Sequence, residues 1–139
     1  MRKNHEKTGP VLTMSHPLSN DELLYIARSS PSYCERRWAT ATLTVLGEYE
    51  PMGRCYGKKV FCKRSSPEID IRMYFWNNKP MQGWWIGHRV GGEQVWARNC
   101  DTKSMRPPKG GWRIPWNGEI CKDLRLSITG QMKPDGSRC

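Results

Sequence analysis

Glu68 and Asp70 are the two acidic residues best spaced to share acid–base work, because a strand would point both to one face. They act as a pair only if that face lines a cleft. At the start of a strand the ordinary arrangement is solvation, or a bond to Arg72 or a lysine. His88 shares strand spacing with Trp84 and Ile86, which suits a hydrogen-bonded, semi-core histidine better than a catalytic one. His88 and Cys100 are the nearest soft ligands, and two ligands do not make a metal site. The six cysteines, Cys34, Cys55, Cys62, Cys100, Cys121 and Cys139, contain no C-x-x-C pair, so zinc-ribbon spacing is missing. Free, partly buried thiols are the default in a reducing compartment, with disulfides the alternative. The chain has no G-x-S-x-G elbow, no phosphate-binding Gly-Lys-Ser/Thr loop, no H-E-x-x-H and no dinucleotide fingerprint. Neither an enzyme nor a cofactor is expected.

Binding is better supported than reaction chemistry. Six of the seven tryptophans lie between Met73 and Gly118. Such density marks either a compact core or a ring-lined recognition face, since tryptophan buries the most area and keeps one N–H in need of a partner. The net charge is +10, and residues 38–126 hold fifteen Lys and Arg against eight Asp and Glu. A basic domain attracts RNA, DNA, acidic proteins or anionic lipid. The alternative is a solvated surface that keeps a tryptophan-rich fold dissolved, because no dense basic run is present. On the expected strands Tyr74, Trp76 and Trp85 point away from the aliphatic face, forming an aromatic platform rimmed by Arg72 and Arg89. Such a platform suits a proline-rich or extended peptide, or a partner subunit. In the alternative reading the same rings stack the bases of a single strand while Arg72, Lys79, Arg89, Arg98 and Arg113 follow its phosphates. Trp84, Trp96, Trp112 and Trp116 are the rings expected to fill the core.

The elements that must hold these rings are mostly strands. Residues 1–18 are polar and broken by Gly9-Pro10 and His16-Pro17, and are expected to be mobile or extended. Residues 19–37 hold one short helix and a linker. Ser19 and Glu22 form a capping box ahead of Leu23, Leu24, Ile26 and Ala27, and Ser29-Ser30-Pro31 ends the helix. Residues 38–129 read as the β-domain and 130–139 as a loose tail. Within the domain, Thr40, Thr42, Thr44 and Val45 suggest a strand over 39–46, and Val60 and Phe61 one over 58–63. Residues 69–76 alternate, with Ile69, Ile71, Met73 and Phe75 on the core face. Gly91-Gly92, between 84–90 and 94–98, predicts a type I′ hairpin. Trp112 is placed to close over one end of the sheet, and Leu124, Leu126 and Ile128 to form a last strand.

The succession Gly83-Trp84-Trp85-Ile86-Gly87, Val95-Trp96-Ala97 and Pro107-Pro108-Lys109-Gly110-Gly111-Trp112 resembles an uncharacterised tryptophan-rich β-module that recurs in alveolate protist proteins, over about residues 40–118. The resemblance implies a small antiparallel β-domain used as an interaction unit, and it assigns no catalytic residue. The expected fold is therefore mainly β: a small single-domain antiparallel sheet, barrel-like or sandwich, with one short N-terminal helix. The expected role is a non-enzymatic interaction or scaffold module, such as a small subunit of a larger complex, with single-stranded RNA binding as the alternative. No stretch approaches the ~20 apolar residues of a membrane helix, and Met1 to Ser15 lack the apolar core of a signal peptide. An intracellular protein, cytoplasmic or organellar, is the expectation.

Overall fold

The computed structural model describes residues 9–14, 18–64 and 69–128. In chain order the elements are β1 (Pro10–Met14), α1 (Asn20–Ser29), α2 (Tyr33–Val45), β2 (Gly47–Cys55), β3 (Lys58–Lys63), β4 (Arg72–Trp76), β5 (Gly83–Gly87), β6 (Val95–Asn99), β7 (Trp112–Arg113) and β8 (Leu124–Ile128). The strands form one antiparallel sheet in the order β7-β6-β5-β4-β3-β2-β1-β8. Its two ends approach each other: the Leu126 N–H of β8 donates to the Lys109 carbonyl, just ahead of β7, at 2.9 Å. Cys121 N–H donates to the Trp112 carbonyl at 2.8 Å, and Arg113 bridges to Ile120, so β7 is covered on its outer side. The result is a nearly closed, barrel-like sheet, mainly β as the sequence predicts.

Two helices accompany the sheet instead of one. The α1 box forms as predicted, with Ser19 Oγ accepting the Glu22 N–H at 3.1 Å and Glu22 Oε1 accepting the Ser19 N–H at 2.7 Å. The stretch 39–46, expected as a strand, is the second half of helix α2. Ser32 caps α2 by accepting the Glu35 N–H at 3.2 Å. Trp38, Ala41, Thr42 and Val45 then follow helical spacing on one side, with Ala41 and Val45 buried in the inner core and Trp38 packed against it. The β-branched residues that suggested a strand are accommodated because Thr42 Oγ1 and Thr44 Oγ1 donate back to the Trp38 and Thr40 carbonyls, at 2.7 and 2.8 Å. The boundary between residues 19–37 and the β-domain therefore falls inside a helix.

The described part of the N-terminal segment takes the extended of the two expected forms and is paired on both sides. Pro10–Met14 is a strand, pairing with β8 along its whole length and with β2 at Val11 and Leu12, and Leu12 is fully buried. Residues 1–8, 15–17 and 129–139, and Glu68 with its supposed partnership to Asp70, lie outside the described residues.

The hairpin chemistry is exchanged between two loops. The two-residue turn with both central residues at positive φ is Tyr56-Gly57, at 54° and 77°, joining β2 to β3. The β5–β6 connection is a longer loop over 88–94, closed by His88 N–H to the Gln94 carbonyl at 2.9 Å. Within it Gly92 N–H donates to the Arg89 carbonyl at 3.1 Å, with Gly91 at φ +72°, a single-glycine turn and not the type I′ pair predicted.

The inner core takes Leu12, Val45, Tyr49, Ile71, Met73, Phe75, Trp84, Ile86, Trp112 and Leu124. The predicted core face of β4 holds except at its start, where Ile69 is exposed. A second cluster lies on the other face of the sheet, with Val60, Tyr74 and Trp85 buried and Cys55, Trp76, Met81, Val95 and Trp116 packed around them. The middles of β4 and β5 are thus buried on both faces, which is why Met73-Tyr74-Phe75-Trp76 and Gly83-Trp84-Trp85-Ile86-Gly87 are nearly continuous apolar runs.

Candidate functional site

Strand alternation sends Tyr74 of β4 and Trp85 of β5 to the outer face, where they are direct cross-strand partners. Both are expected above as exposed platform rings, and both are buried, at 2% and 4% exposure. The burial comes from elements the strand pattern does not contain. Trp116, on the turn after β7, tilts against Trp85 with ring centroids 5.7 Å apart. Trp76 meets Tyr74 edge-on at 6.4 Å and Tyr56 of the β2–β3 turn edge-on at 5.5 Å. The 88–94 loop folds over the same face, and the Gly91 backbone hydrogen-bonds the Tyr74 hydroxyl. Burial pushes that hydroxyl up in pKa, against the opposing effect of the Gly91 bond.

These parts leave a groove of about 250 Å³ lined by Tyr74, Trp76, Met81, Trp85, Gly91, Gly92, Glu93, Val95 and Trp116. Tyr74 and Trp85 make its floor and the half-buried Trp76 and Trp116 its walls. Trp85 Nε1–H is satisfied by the Met81 carbonyl at 2.9 Å, so the floor carries no unmet indole donor. Glu93 is the one charged residue among the described lining residues.

The predicted arginines are placed unevenly. Arg98 of β6 stands across from Trp85 with its guanidinium carbon 4.9 Å from the ring centroid, and its Nη2 donates to the Gln82 carbonyl at 2.9 Å. Its Nε is buried without a hydrogen-bond partner among the described residues, and the ring face offsets part of that cost. Arg113 of β7 is the cross-strand neighbour of Arg98 and donates to the Gly118 carbonyl at 2.9 Å. Arg89 is exposed on the 88–94 loop. Arg72 lies at the other end of β4, where its Nε donates to Asp70 Oδ1 at 2.8 Å. Tyr74, Trp76, Trp85 and Arg98 therefore come together, while Arg72 belongs to a separate cluster.

That cluster is the place to look for chemistry. The Cys62 thiol donates to Asp70 Oδ1 at 3.6 Å, and His88 Nδ1 lies 3.0 Å from the Asp70 carbonyl. Burial first, and then its bond to Asp70, push the Cys62 thiol up, so it is held as a thiol and not as a nucleophilic thiolate. The Arg72 hydrogen bond holds the Asp70 carboxyl below the ordinary carboxylate range. Asp70 is thereby tied to its arginine, the arrangement expected of a strand-start carboxylate, and His88 is half-buried and bonded. All five described cysteines, Cys34, Cys55, Cys62, Cys100 and Cys121, are free. Among the described residues no three His, Cys, Asp or Glu side chains are grouped to hold a metal, and no helix is long and apolar enough to cross a membrane.

Sequence reasoning missed Met81, Val95 and the 88–94 loop as parts of the groove, and assigned Trp116 to the core. Trp84 and Trp112 do fill the inner core, both fully buried, and Trp96 packs against it. Trp112 closes the inside of the barrel, its Nε1–H donating to the Pro108 carbonyl at 2.9 Å. The Pro115-Trp116-Asn117-Gly118 run carried the only signal for a ring presented on a turn. No protein family, curated protein or solved structure matches this chain.

Proposed function

We propose that the chain is a non-enzymatic recognition module whose outer groove docks an extended, proline-rich or aliphatic segment of a protein partner. The observation that supports this is the groove's composition: four aromatic rings with Met81 and Val95, and Glu93 as the one charged residue of the described lining. Aromatic-lined grooves of this kind take extended prolyl segments, whose conformation is already ordered before binding. The volume of about 250 Å³ lies below the ~300–1,000 Å³ usual for small-molecule sites, and suits side-chain anchors better than a free metabolite. Strand addition is not the mode, because β7 is covered by residues 120–121 and β8 meets Lys109.

The single-stranded RNA reading fits this groove less well. A stacked base needs an open ring face, and Tyr74 and Trp85 are enclosed. Of the cations expected to follow phosphates, Arg72 lies apart from the rings on Asp70, and Arg98 and Arg113 donate to carbonyls of the chain itself. That the chain is a single copy of the tryptophan-rich module it resembles, working as a subunit of a larger complex, is part of the same proposal.

Titration of tryptophan fluorescence with proline-rich and aliphatic decapeptides tests it. Saturable binding is expected, weakened at least about tenfold by Trp116→Ala and by Trp76→Ala, the size of a hot-spot loss. Peptide affinities that ignore both substitutions in folded protein would overturn the reading, as would a single-stranded RNA affinity that both substitutions abolish.

A further inference from the structure

The barrel has a second concavity with a different character. Helix α2 enters the core at the end where β2 begins, since Val45 precedes Gly47 and is buried there. At the end where β2 finishes lies a cavity of about 550 Å³, walled by the β2–β3 turn and the loop leading to β7. Among the described lining residues five are cations, Arg54, Lys58, Lys59, Arg106 and Lys109, and none is Asp or Glu. The remaining wall is largely apolar, with Phe61, Met105, Leu126 and four prolines.

Lys58 is the innermost of these charges. Its ammonium lies 3.6 Å from the Phe75 ring centroid and 5.9 Å from that of Trp84, and donates to the Ser104 carbonyl at 2.8 Å. Desolvation lowers its pKa, with Asp101 acting the other way. Asp101 is itself occupied in the loop: its Oδ1 accepts the N–H groups of Lys103 and Ser104 at 2.8 and 3.0 Å. Five like charges around one concavity repel each other until an anion enters, and a partly desolvated ammonium gains most from that anion.

We infer that this barrel mouth binds a compact polyphosphate of two or three phosphoryl groups, free or carried on a small organic body. The charge complementarity selects the phosphates: Lys58 at the floor and Arg106 and Lys109 on the loop supply separate donors around a space of small-molecule size. A long single-stranded RNA is a poorer occupant, because the described lining offers Phe61, 8% exposed, as its only ring. The site is separate from the outer groove, with which it shares none of the described lining residues.

Isothermal titration calorimetry of the full chain with inorganic tripolyphosphate and with ATP, at about 150 mM salt, tests the assignment. One-to-one saturable binding is expected with at least one of the two probes. ATP binding tighter than tripolyphosphate would place an organic body against the apolar wall, and equal affinities would assign the inorganic chain. Arg106→Glu is expected to weaken binding at least tenfold and Lys58→Met to weaken it further, while Trp116→Ala leaves it unchanged. Should Lys58→Met fail to fold, Arg106→Glu and Lys109→Glu, on the outer loop, carry the test. Absence of saturable binding to both probes, affinity indifferent to Arg106→Glu, or binding confined to long polyanions with affinity growing with their length would overturn it.

Discussion

The two faces of β4 and β5 bury aromatic rings of similar size under different lids. On the inside, Phe75 and Trp84 meet at 5.7 Å and are enclosed by the other strands, so their position follows from closing the barrel. On the outside, Tyr74 and Trp85 are as deeply buried, but their cover is one tilted indole, one edge-on indole and a loop containing Gly91 and Gly92. A cover made of turns and half-exposed rings can be parted by a ligand at much lower cost than a closed wall. Equal burial therefore does not imply equal function, and the difference is open to direct test.

The largest expected effect is on the inner side. Trp84→Ala should destabilise by about 3–5 kcal/mol in urea unfolding, the range for a buried large aromatic whose cavity cannot collapse. Trp85→Ala should cost less, about 2–3 kcal/mol, because Trp116 and the Arg98 stem can settle into the space. Equal losses would make the outer cluster a second rigid core and break the comparison. Gly91→Ala comes next, at about 1–2 kcal/mol: a Cβ there lies 2.9 Å from Trp76 Cη2 and the residue needs positive φ. Its melting temperature and peptide affinity should fall together, and a fall in stability alone would detach the loop from the groove. The smallest effect is with pH. The folded Asp70 carboxyl is depressed by Arg72, so the stability it contributes is present above the ordinary carboxylate pKa and lost as pH falls through the depressed value. Because the pair is partly exposed, the acid loss removed by Asp70→Asn should be below about 1 kcal/mol, read from melting temperatures between neutral and acid pH.

Local pattern made some of this legible. The α1 capping box, the alternation of Ile71, Met73 and Phe75, and the Leu124 strand are all short-range signals that the structure keeps. Helix α2 was misread because threonine and valine were weighed by propensity, while Ser32 with Glu35 and the 38, 41, 42, 45 spacing gave the helical alternative. The Gly91-Gly92 hairpin was misread because glycine pairs mark positive φ without fixing loop length. The site was half legible. Tyr74, Trp76 and Trp85 were expected as an open platform rimmed by Arg72 and Arg89; the three rings are neighbours, but in a groove, with Arg98 against Trp85 and Arg72 bonded to Asp70 elsewhere.

The residue sequence by itself determined that this is a basic, tryptophan-rich, mainly β protein, and which side chains of β4 and β5 face apart, since alternation along a strand is a property of the backbone. Only the tertiary structure decided which outward rings remain open. Exposure depends on what other segments lay over them, and Trp116, the 88–94 loop and the Tyr56 turn reach Tyr74, Trp76 and Trp85 from distant or looped parts of the chain. The same holds for the cationic mouth: Arg54, Lys58, Arg106 and Lys109 are scattered along the sequence and converge because the barrel nearly closes on itself.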